Sequence, residues 1–325
     1  MKAIVCENFA PIQELKLLDV ESPVAKPGEV VVNVKAAGVN YPDALVVQGL
    51  YQVKPPLPFV PGFEFAGVVD SFGDGVDQFP AGTRVLGVHP GYGAYAEQIA
   101  VPAMCLMPIP DAVSFTDAAN LACAHGTAHH ALKQRAQLKA GETLLVLGAA
   151  GGTGIAAVQI GKAMGAKVIA ACSSEEKLAV AKQNGADVLI NYASHDLRKA
   201  LKGVTAGKGV DVVYDPVGGD AFDQCCRSMA RNGRLLVVGF ASGRIPQLPV
   251  NLALVKEFSV AGVFWGNFIE NEPEVYAQNV KEMFTWFLEE KIKVVTDAVF
   301  ALEQAPEALQ RLMDRQVAGK LVLEI

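Results

Sequence analysis

The sequence has 325 residues, of which 51% are apolar, and it carries a formal net charge of −6 at pH 7. A chain of this length usually forms more than one hydrophobic core, so two domains are expected. The negative charge argues against a dedicated nucleic-acid-binding protein, which normally presents a basic face.

The six cysteines form neither a CxxC pair nor a regular spacing. No signal peptide or other targeting segment is recognised, so reduced thiols in a cytoplasmic protein are expected. One long uncharged run, Thr143–Gly161, is interrupted by glycines and changes from strand to helix periodicity. That pattern argues against a membrane span.

The first part of the chain is rich in strand patterns separated by Pro and Gly. The predicted strands are Met1–Cys6, Leu15–Asp19, Val30–Ala36, Phe65–Phe72, Thr83–Val88 and Ala94–Val101. The segment Tyr41–Pro61 is rich in Pro, Tyr and Gly and is predicted to be a loop. Because no long helical pattern interrupts these strands, residues 1–120 are predicted to form a mostly β domain.

The middle of the chain alternates between strand and helix patterns. Helical patterns occupy Thr116–Leu121 and His125–Arg135, and Thr143–Cys172 predicts a strand, a glycine turn, a helix and a second buried strand. Further β-rich runs follow at Val188–Asn191, Val210–Asp215 and Leu235–Gly239. This alternation predicts an α/β fold with a doubly wound parallel sheet covered by helices on both faces.

The C-terminal part does not continue this alternation. Ser259–Phe264 predicts an edge strand, Val275–Lys291 and Ala305–Gln316 predict amphipathic helices, and Lys320–Ile325 predicts a last strand. We expect this part to return to the first domain. The predicted division is therefore residues 1–120, 121–260 and 261–325.

The turn inside Thr143–Cys172 has glycines at positions 148, 151, 152 and 154. Such a turn leaves backbone N–H groups uncovered at a helix N-terminus, where a diphosphate can bind. The spacing departs from GxGxxG, but the strand–turn–helix context is the one that a dinucleotide requires. We predict cofactor contacts from Ala150, Gly151, Gly152 and Thr153; the alternative is a tight turn without a ligand.

The second strand of this unit ends at Ser173 and Ser174, with no carboxylate at its tip, and Lys177 follows. An acidic residue here would bind the ribose hydroxyl of NAD, whereas hydroxyls and a lysine suit the 2′-phosphate of NADP(H). Glu175 and Glu176 would favour NAD if they turned back toward the ribose. The pattern favours NADP(H).

Two more glycine positions follow predicted parallel strands. Gly218 comes after the fourth strand, and Gly239 with Phe240 comes after the fifth. Ligands of open α/β sheets bind beyond the carboxyl ends of strands, so these residues are predicted to approach the nicotinamide ribose. A plain turn is the alternative at each position.

Several longer motifs resemble a known family. They are AAGVNYPDALVVQGLY (36–51), VPGFEFAGVV (60–69), AAGGTG (149–154), SSEEK (173–177), LINY (189–192) and GKLVL (319–323). Together they resemble the zinc-free medium-chain dehydrogenases/reductases, in particular quinone oxidoreductases of the zeta-crystallin type. The runs VVGFASG and VAGVFWG are similar to the quinone oxidoreductase-like protein 2 subgroup.

The resemblance implies a GroES-like catalytic domain built from both chain ends, a Rossmann domain that binds NADPH, and a homodimer that pairs edge strands. It implies a 2′-phosphate site of Lys177, Tyr192 and Arg315, with Lys320 in the same C-terminal segment as Arg315. It places Thr127, Phe240, Phe264 and Trp265 beside the nicotinamide. It also implies that Asn40 and Tyr51 face the nicotinamide ring and the substrate.

Zinc-dependent relatives supply a cysteine, a His-Glu pair and a second cysteine. The matching positions here hold Asn40, Phe63 with Glu64, and Cys123. One thiol and one acid do not satisfy a zinc ion, which needs about three protein ligands. We therefore expect no metal.

Without a metal to polarise a carbonyl, the expected acceptors are quinones or α,β-unsaturated carbonyls, which take a hydride at an activated carbon. Asn40 would hydrogen-bond the acceptor or the nicotinamide carboxamide, and Tyr51 would donate a hydrogen bond or proton. Reduction of an enoyl thioester is the alternative within this class. An NADPH-binding structural or RNA-binding protein is the alternative outside it.

Overall fold

The computed structural model describes all 325 residues. The chain divides into two compact units: unit 1 is Met1–Cys123 with Val294–Ile325, and unit 2 is Ala124–Lys293. The chain thus leaves unit 1, forms all of unit 2 and returns. The return begins at Val294 rather than at the expected residue 261, because Ser259–Gly262 completes the sheet of unit 2 and the next two helices stay in that unit.

The strands and helices are numbered separately along the chain. Their order is β1 (Lys2–Val5), β2 (Lys16–Asp19), β3 (Glu29–Val39), α1 (Tyr41–Val47), β4 (Glu64–Phe72), β5 (Arg84–Val88), β6 (Gln98–Pro102), β7 (Leu106–Pro108), α2 (Phe115–His130), β8 (Thr143–Leu147), α3 (Gly152–Ala163), β9 (Lys167–Cys172), α4 (Glu175–Gln183), β10 (Val188–Asn191), α5 (Leu197–Val204), β11 (Val210–Asp215), α6 (Gly219–Ser228), β12 (Met229–Val237), α7 (Val250–Lys256), β13 (Ser259–Gly262), α8 (Trp265–Asn271), α9 (Pro273–Leu288), β14 (Thr296–Ala301), α10 (Ala305–Met313) and β15 (Lys320–Glu324).

Unit 1 is a mostly antiparallel β structure. Its main sheet has the order β14-β15-β3-β4-β5-β7, β6 also pairs with β3, and β1 and β2 form a separate ribbon. The last strand β15 pairs antiparallel with β3, with Leu321 opposite Val39. The C-terminal segment is thereby fixed beside the end of β3, where Asn40 follows.

Unit 2 contains a six-stranded sheet of order β10-β9-β8-β11-β12-β13, in which every neighbouring pair is parallel. The apolar residues of β8 are fully buried, as expected for a strand covered on both faces: Leu144, Leu145, Val146 and Leu147. The strand order reverses at β8, which pairs with β9 on one side and β11 on the other. The predicted fold class is confirmed, and ligands of such sheets bind beyond the carboxyl ends at this reversal.

The segment predicted as a loop contains a helix, α1, so that part of the prediction is wrong. Two features allow this short helix. Pro42 lies in its first turn, where its fixed φ is compatible with a helix. The backbone N–H of Asn40 donates to Asp43 Oδ2 at 2.9 Å, and the N–H of Asp43 donates back to the Asn40 carbonyl oxygen at 3.1 Å.

None of the helices combines the length and the apolar character that crossing a lipid bilayer requires.

Candidate functional site

The glycine turn of unit 2 joins β8 to the N-terminus of α3. Gly148 has a φ of 58°, a conformation that glycine adopts without strain. A Cβ on Gly154 would lie 2.2 Å from the Gly148 carbonyl oxygen, so only glycine fits there. Gly151 begins α3 without a side-chain cap. The first backbone N–H groups of α3 are therefore free of competing side-chain acceptors, as an incoming phosphate requires.

The neighbouring predicted residues stabilise this turn. The hydroxyl of Thr153 is hydrogen-bonded to the hydroxyl of the fully buried Tyr214 on β11. Ala150 is buried, and its backbone N–H faces the buried sulfur of Cys172. Burial raises the pKa of the Cys172 thiol, and the N–H groups of Ala150 and Ala149 oppose the rise. The turn is thus held from the two strands beside β8.

The tip of β9 brings together the residues predicted to bind a 2′-phosphate in unit 2. Ser173 and Ser174 follow β9, and Ser174 Oγ caps α4 by accepting from the Lys177 backbone N–H at 3.3 Å. The N–H of Tyr192 donates to the Cys172 carbonyl oxygen at 3.0 Å, which fixes Tyr192 beside the same strand end. The serines, Lys177 and Tyr192 therefore belong to one edge of the sheet.

The carboxylates of the two acidic residues that follow this strand end, Glu175 and Glu176, are hydrogen-bonded to nearby groups. Glu175 Oε1 accepts from Asn191 Nδ2 at 2.7 Å. The pKa of Glu176 is lowered by hydrogen bonds to its own backbone N–H and to the Ser174 hydroxyl. Because both carboxylates are engaged locally, the structure favours a phosphate over a ribose hydroxyl at this edge.

The carboxyl ends of β11 and β12 bring together the second predicted group. Asp215 Oδ1 accepts from the N–H groups of Val217 and Gly218, each at 2.8 Å. Gly218 has a φ of 67°, and a Cβ there would lie 3.1 Å from Phe240 Cδ1. A Cβ on Gly239 would lie 3.2 Å from a backbone oxygen. Gly218, Gly239 and Phe240 therefore form one closely packed loop pair.

The remaining nicotinamide candidates of unit 2 lie on α2 and at the start of α8. Trp265 is buried and packs on Gly126, where a Cβ would lie 2.9 Å from the indole ring, and Thr127 is the next residue of α2. Trp265 also makes an edge contact with Tyr276 on α9. Phe264, which precedes α8, is 59% exposed. Trp265 therefore packs on α2 at the residue before Thr127, while the Phe264 side chain stays available.

In unit 1, the predicted residue Asn40 belongs to a buried polar cluster with Glu64 and Lys320. Asn40 Nδ2 donates to Glu64 Oε1 at 2.7 Å, and Lys320 Nζ donates to Asn40 Oδ1 at 2.6 Å and to Glu64 Oε1 at 2.8 Å. Glu64 Oε2 accepts from the Cys123 backbone N–H at 2.7 Å. None of the three side chains is more than 8% exposed.

Lys320, which was predicted among the cofactor-binding residues, uses its ammonium within unit 1. A lysine ammonium has three N–H donors. Those of Lys320 are taken by Glu64, by the Asn40 side chain and by the Val39 carbonyl oxygen at 3.1 Å. No donor remains for a phosphate. Arg315 is exposed on unit 1 and stays a predicted contact of the 2′-phosphate.

Asp43 and Tyr51 lie near the same end of unit 1. Asp43 Oδ2 accepts from the Asn40 N–H and from the Tyr95 hydroxyl, both at 2.9 Å, whereas Oδ1 is buried without a partner. Burial raises the pKa of Asp43 to about 7. Burial also raises the pKa of Tyr51, and the Cys123 and Asp43 groups add to that rise. The Tyr51 hydroxyl therefore keeps its proton at neutral pH.

Comparison with known proteins agrees with this architecture. A GroES-like alcohol dehydrogenase model matches residues 26–111, and a zinc-binding dehydrogenase model matches residues 152–286. The chain therefore belongs to the medium-chain dehydrogenase/reductase family of NAD(P)-dependent oxidoreductases. It is 40% identical to rat quinone oxidoreductase-like protein 2 over 325 residues, covering 100% of this chain and 92% of that one.

Two solved structures are also similar over the full length. A quinone oxidoreductase of Pseudomonas syringae is 35% identical with a TM-score of 0.94, covering 100% of this chain and 99% of that one. The Escherichia coli quinone oxidoreductase, solved as a complex with NADPH, is 30% identical with a TM-score of 0.93, and both chains are covered completely.

The name of the second family model raises the question of zinc. The positions that match the ligands of zinc-dependent relatives hold Asn40, Glu64 and Cys123, and the Lys320 ammonium is bonded to the first two. No group of three or more His, Cys, Asp or Glu side chains is arranged to hold a metal ion. A cation already lies among these donors, so the residues present do not fit zinc.

Sequence reasoning missed three residues of the site: Tyr214, Cys172 in its contact with the turn, and the role of Lys320. The Tyr214 hydroxyl meets Thr153 across 61 positions, and Lys320 meets Asn40 across 280. Sequence patterns report local periodicity, so neither contact has a local signal. The sequence does offer one signal, which is Lys320 at the start of the apolar strand β15. Lysine is rarely buried without a partner, so a lysine in such a strand indicates a buried polar partner.

Proposed function

We propose that the protein transfers a hydride from NADPH to a quinone or a similarly electron-poor acceptor, without a metal ion. The observation that carries the proposal is the uncapped glycine turn of unit 2, with Ser173 and Lys177 at the neighbouring strand tip and both adjacent acids engaged elsewhere. NADP(H) is the cofactor, as the relative solved with NADPH supports.

The proposed reaction needs little from the protein beyond binding and orientation. NADPH gives two electrons and one proton as a hydride from C4 of the nicotinamide. A quinone that accepts it becomes a hydroquinone after taking one proton from water. Unit 2 would hold the cofactor, and Asn40 and Tyr51 of unit 1 would hydrogen-bond the acceptor or the nicotinamide amide.

The same residues support a second candidate, the reduction of an α,β-unsaturated carbonyl or thioester. That reaction needs a proton delivered to carbon after the hydride. Tyr51 is the residue of the predicted site that would give this proton, because its hydroxyl is neutral at pH 7.

The first experiment is NADPH oxidation, measured by loss of its absorbance, with a panel of quinones, enals and enoyl thioesters. NADH is run beside NADPH at equal concentration. We expect turnover with NADPH and a clear preference over NADH. NADPH binding without oxidation by any acceptor would instead support a binding or structural protein.

Tyr51→Phe separates the two acceptor classes, because it removes the hydroxyl and keeps the ring. An unchanged rate with quinones is expected if water supplies the proton. A loss of about 10²-fold or more with an enal or enoyl thioester is expected if Tyr51 is the acid. Tyr41→Phe, at the start of α1, is the matched control.

Two measurements test whether the protein needs zinc: metal analysis of the purified protein, and the NADPH oxidation assay after dialysis against a chelator. We expect far less than one zinc per chain and full activity after dialysis. Stoichiometric zinc, or activity restored only by added zinc, would contradict the proposal.

We also propose that the protein is a cytoplasmic homodimer. All six cysteines are free thiols, and Cys6, Cys172, Cys225 and Cys226 are buried, which suits a reducing compartment. The edge strand β13 and the exposed apolar residues of α7 support pairing of two copies through unit 2.

A further inference from the structure

The buried cluster of Asn40, Glu64 and Lys320 joins three segments of unit 1 through hydrogen bonds. Each residue comes from a different part of unit 1: the end of β3, the start of β4 and the start of β15. Lys320 is 5% exposed and Glu64 has no exposed surface. A charged pair is stable at such burial only when its hydrogen bonds are satisfied.

The hydrogen bonds of the cluster are satisfied in one arrangement. The ammonium donates to three oxygens, and both carboxylate oxygens of Glu64 accept. Gly38 makes room for this carboxylate, since a Cβ there would lie 2.2 Å from Glu64 Oε1. Rotating the Asn40 amide by half a turn would set its NH2 group against the ammonium and its oxygen against the carboxylate.

The cluster therefore fixes which polar groups of Asn40 remain for a ligand. Its oxygen is bound to a cation, and one of its two amide N–H groups is bound to Glu64. The other N–H group is left, polarised by the ammonium on the same amide. Such a group is suited to donate to a carbonyl oxygen.

We infer that Lys320 is a positioning residue, whose buried ammonium sets the orientation and polarisation of the Asn40 amide in place of a metal cation. The inference rests on the proposed function, because it concerns the contact of Asn40 with the acceptor or the nicotinamide amide. Lys320 itself touches neither, since its donors are used within the cluster.

A purely structural role would also explain a buried ion pair. It would tie β15 to β3 and β4, and its loss would lower stability without a specific effect on hydride transfer. The two roles differ in kinetics. A residue that acts through Asn40 loses its effect once the Asn40 amide is gone, whereas a structural residue does not.

The experiment is a double-mutant cycle in single-turnover hydride transfer, with Lys320→Met, Asn40→Ala and the double variant. We expect each single variant to slow hydride transfer by about tenfold or more, with the double variant no slower than the slower single. Fluorescence titration of NADPH with each variant separates a change in cofactor binding from a change in the hydride-transfer step. Lys16→Met, which removes an exposed ion pair with Glu7 in the same unit, is the matched control.

Removing Lys320 alone leaves a buried carboxylate without its cation, so that variant can fail to fold. Lys320→Met/Glu64→Gln removes both charges and keeps the shape. We expect this variant to fold and to transfer hydride slowly, with no further loss when Asn40→Ala is added.

Hydride transfer at the wild-type rate in either Lys320 variant would overturn the inference, as would losses that multiply with that of Asn40→Ala. Both results leave the proposed function intact, because the wild type still turns over. If the wild type failed to oxidise NADPH with every acceptor of the panel, the proposed function and this inference would both be overturned.

Discussion

At the scale of single residues, Asp43 is a carboxyl group that folding makes harder to ionise. Its Oδ1 is buried without a donor, and burial raises its pKa from the ordinary value of 3.8 to about 7. The unfolded chain loses this proton near pH 4, while the folded protein holds it until about pH 7. Between these values the folded state binds more protons, so the free energy of unfolding falls as the pH rises.

The prediction is that the wild type loses stability between pH 4 and pH 7 relative to Asp43→Asn. A pKa change from 3.8 to about 7 corresponds to roughly 4 kcal/mol, all of it lost above pH 7. Urea unfolding of both proteins across this range measures the difference. A difference that does not change with pH would mean that Asp43 ionises normally in the folded protein.

Lys177 carries the second prediction at this scale. If its ammonium binds the 2′-phosphate, Lys177→Ala removes a charge-assisted hydrogen bond of about 1.5–3 kcal/mol. The Kd for NADPH should rise about tenfold or more, and the Kd for NADH should not change. Fluorescence titration with both nucleotides measures this, with Lys182→Ala in the last turn of α4 as the control. Equal losses for both nucleotides would remove Lys177 from the phosphate site.

The residue scale also marks the limit of sequence reasoning. Ser173 and Lys177 are predictable, because their place after a buried strand is a local pattern. The orientation of Glu175 is not, since it depends on Asn191 on the next strand. The hydrogen bonds of Lys320 are unpredictable for the same reason, because its partners Asn40 and Glu64 lie 280 and 256 positions away.

At the scale of elements, the parallel strands are the most predictable part of the fold. A strand covered by helices on both faces is a nearly continuous apolar run, as β8 is after Thr143, and this pattern is visible in the sequence without knowledge of the neighbouring strands. The short helix α1 was not predictable from periodicity. It has seven residues in a Pro- and Tyr-containing segment, and its start depends on the mutual hydrogen bonds of Asn40 and Asp43.

The glycine turn gives a prediction that separates folding from binding. Gly154→Ala places a Cβ 2.2 Å from the Gly148 carbonyl oxygen, which is backbone and cannot move aside, so stability should fall by about 1–3 kcal/mol or more. In Gly151→Ala the same distance is 3.5 Å, an ordinary contact. That variant should keep its stability and, if the turn binds the diphosphate, lose NADPH affinity, because its methyl group would lie where the diphosphate approaches.

Thermal unfolding and NADPH titration of both glycine variants test this. The turn would not be the diphosphate site if Gly151→Ala bound NADPH as the wild type does. If instead Gly154→Ala were as stable as the wild type, the close packing of α3 on the turn would be wrong.

At the scale of the whole molecule, sequence patterns predict that the first domain is built from both chain ends, but they place the return of the chain to it at residue 261 instead of Val294. The segment from 261 to 293 has no strand–helix alternation, and from sequence it resembles the return. In the structure its helices α8 and α9 belong to unit 2, where Trp265 packs on Gly126 and Tyr276. Such helix packing depends on which residues meet in three dimensions, and a one-dimensional pattern does not contain that information.

The last prediction concerns the surface beside β13. This strand ends the parallel sheet, so one row of its backbone groups has no strand partner. Four apolar residues between β12 and β13 are between 70% and 79% exposed: Ile245, Val250, Leu254 and Val255. An edge strand flanked by such a patch can pair with its own copy about a twofold axis, which extends the sheet and covers the patch.

Leu254→Glu places a charge in that patch, where a second copy would have to bury it, so the variant should be monomeric at concentrations where the wild type is a dimer. Size-exclusion chromatography with light scattering measures the mass of each. Val24→Glu, at an 82% exposed position of unit 1, tests whether an added charge alone has this effect and should leave the dimer intact. A dimer that survives Leu254→Glu would place the interface elsewhere, and a monomeric wild type would reject the dimer itself. Leu254 is not among the predicted cofactor residues, and the predicted phosphate contacts Ser173 and Lys177 lie at the tip of β9, near the opposite edge of the sheet, so the monomeric variant should still bind NADPH.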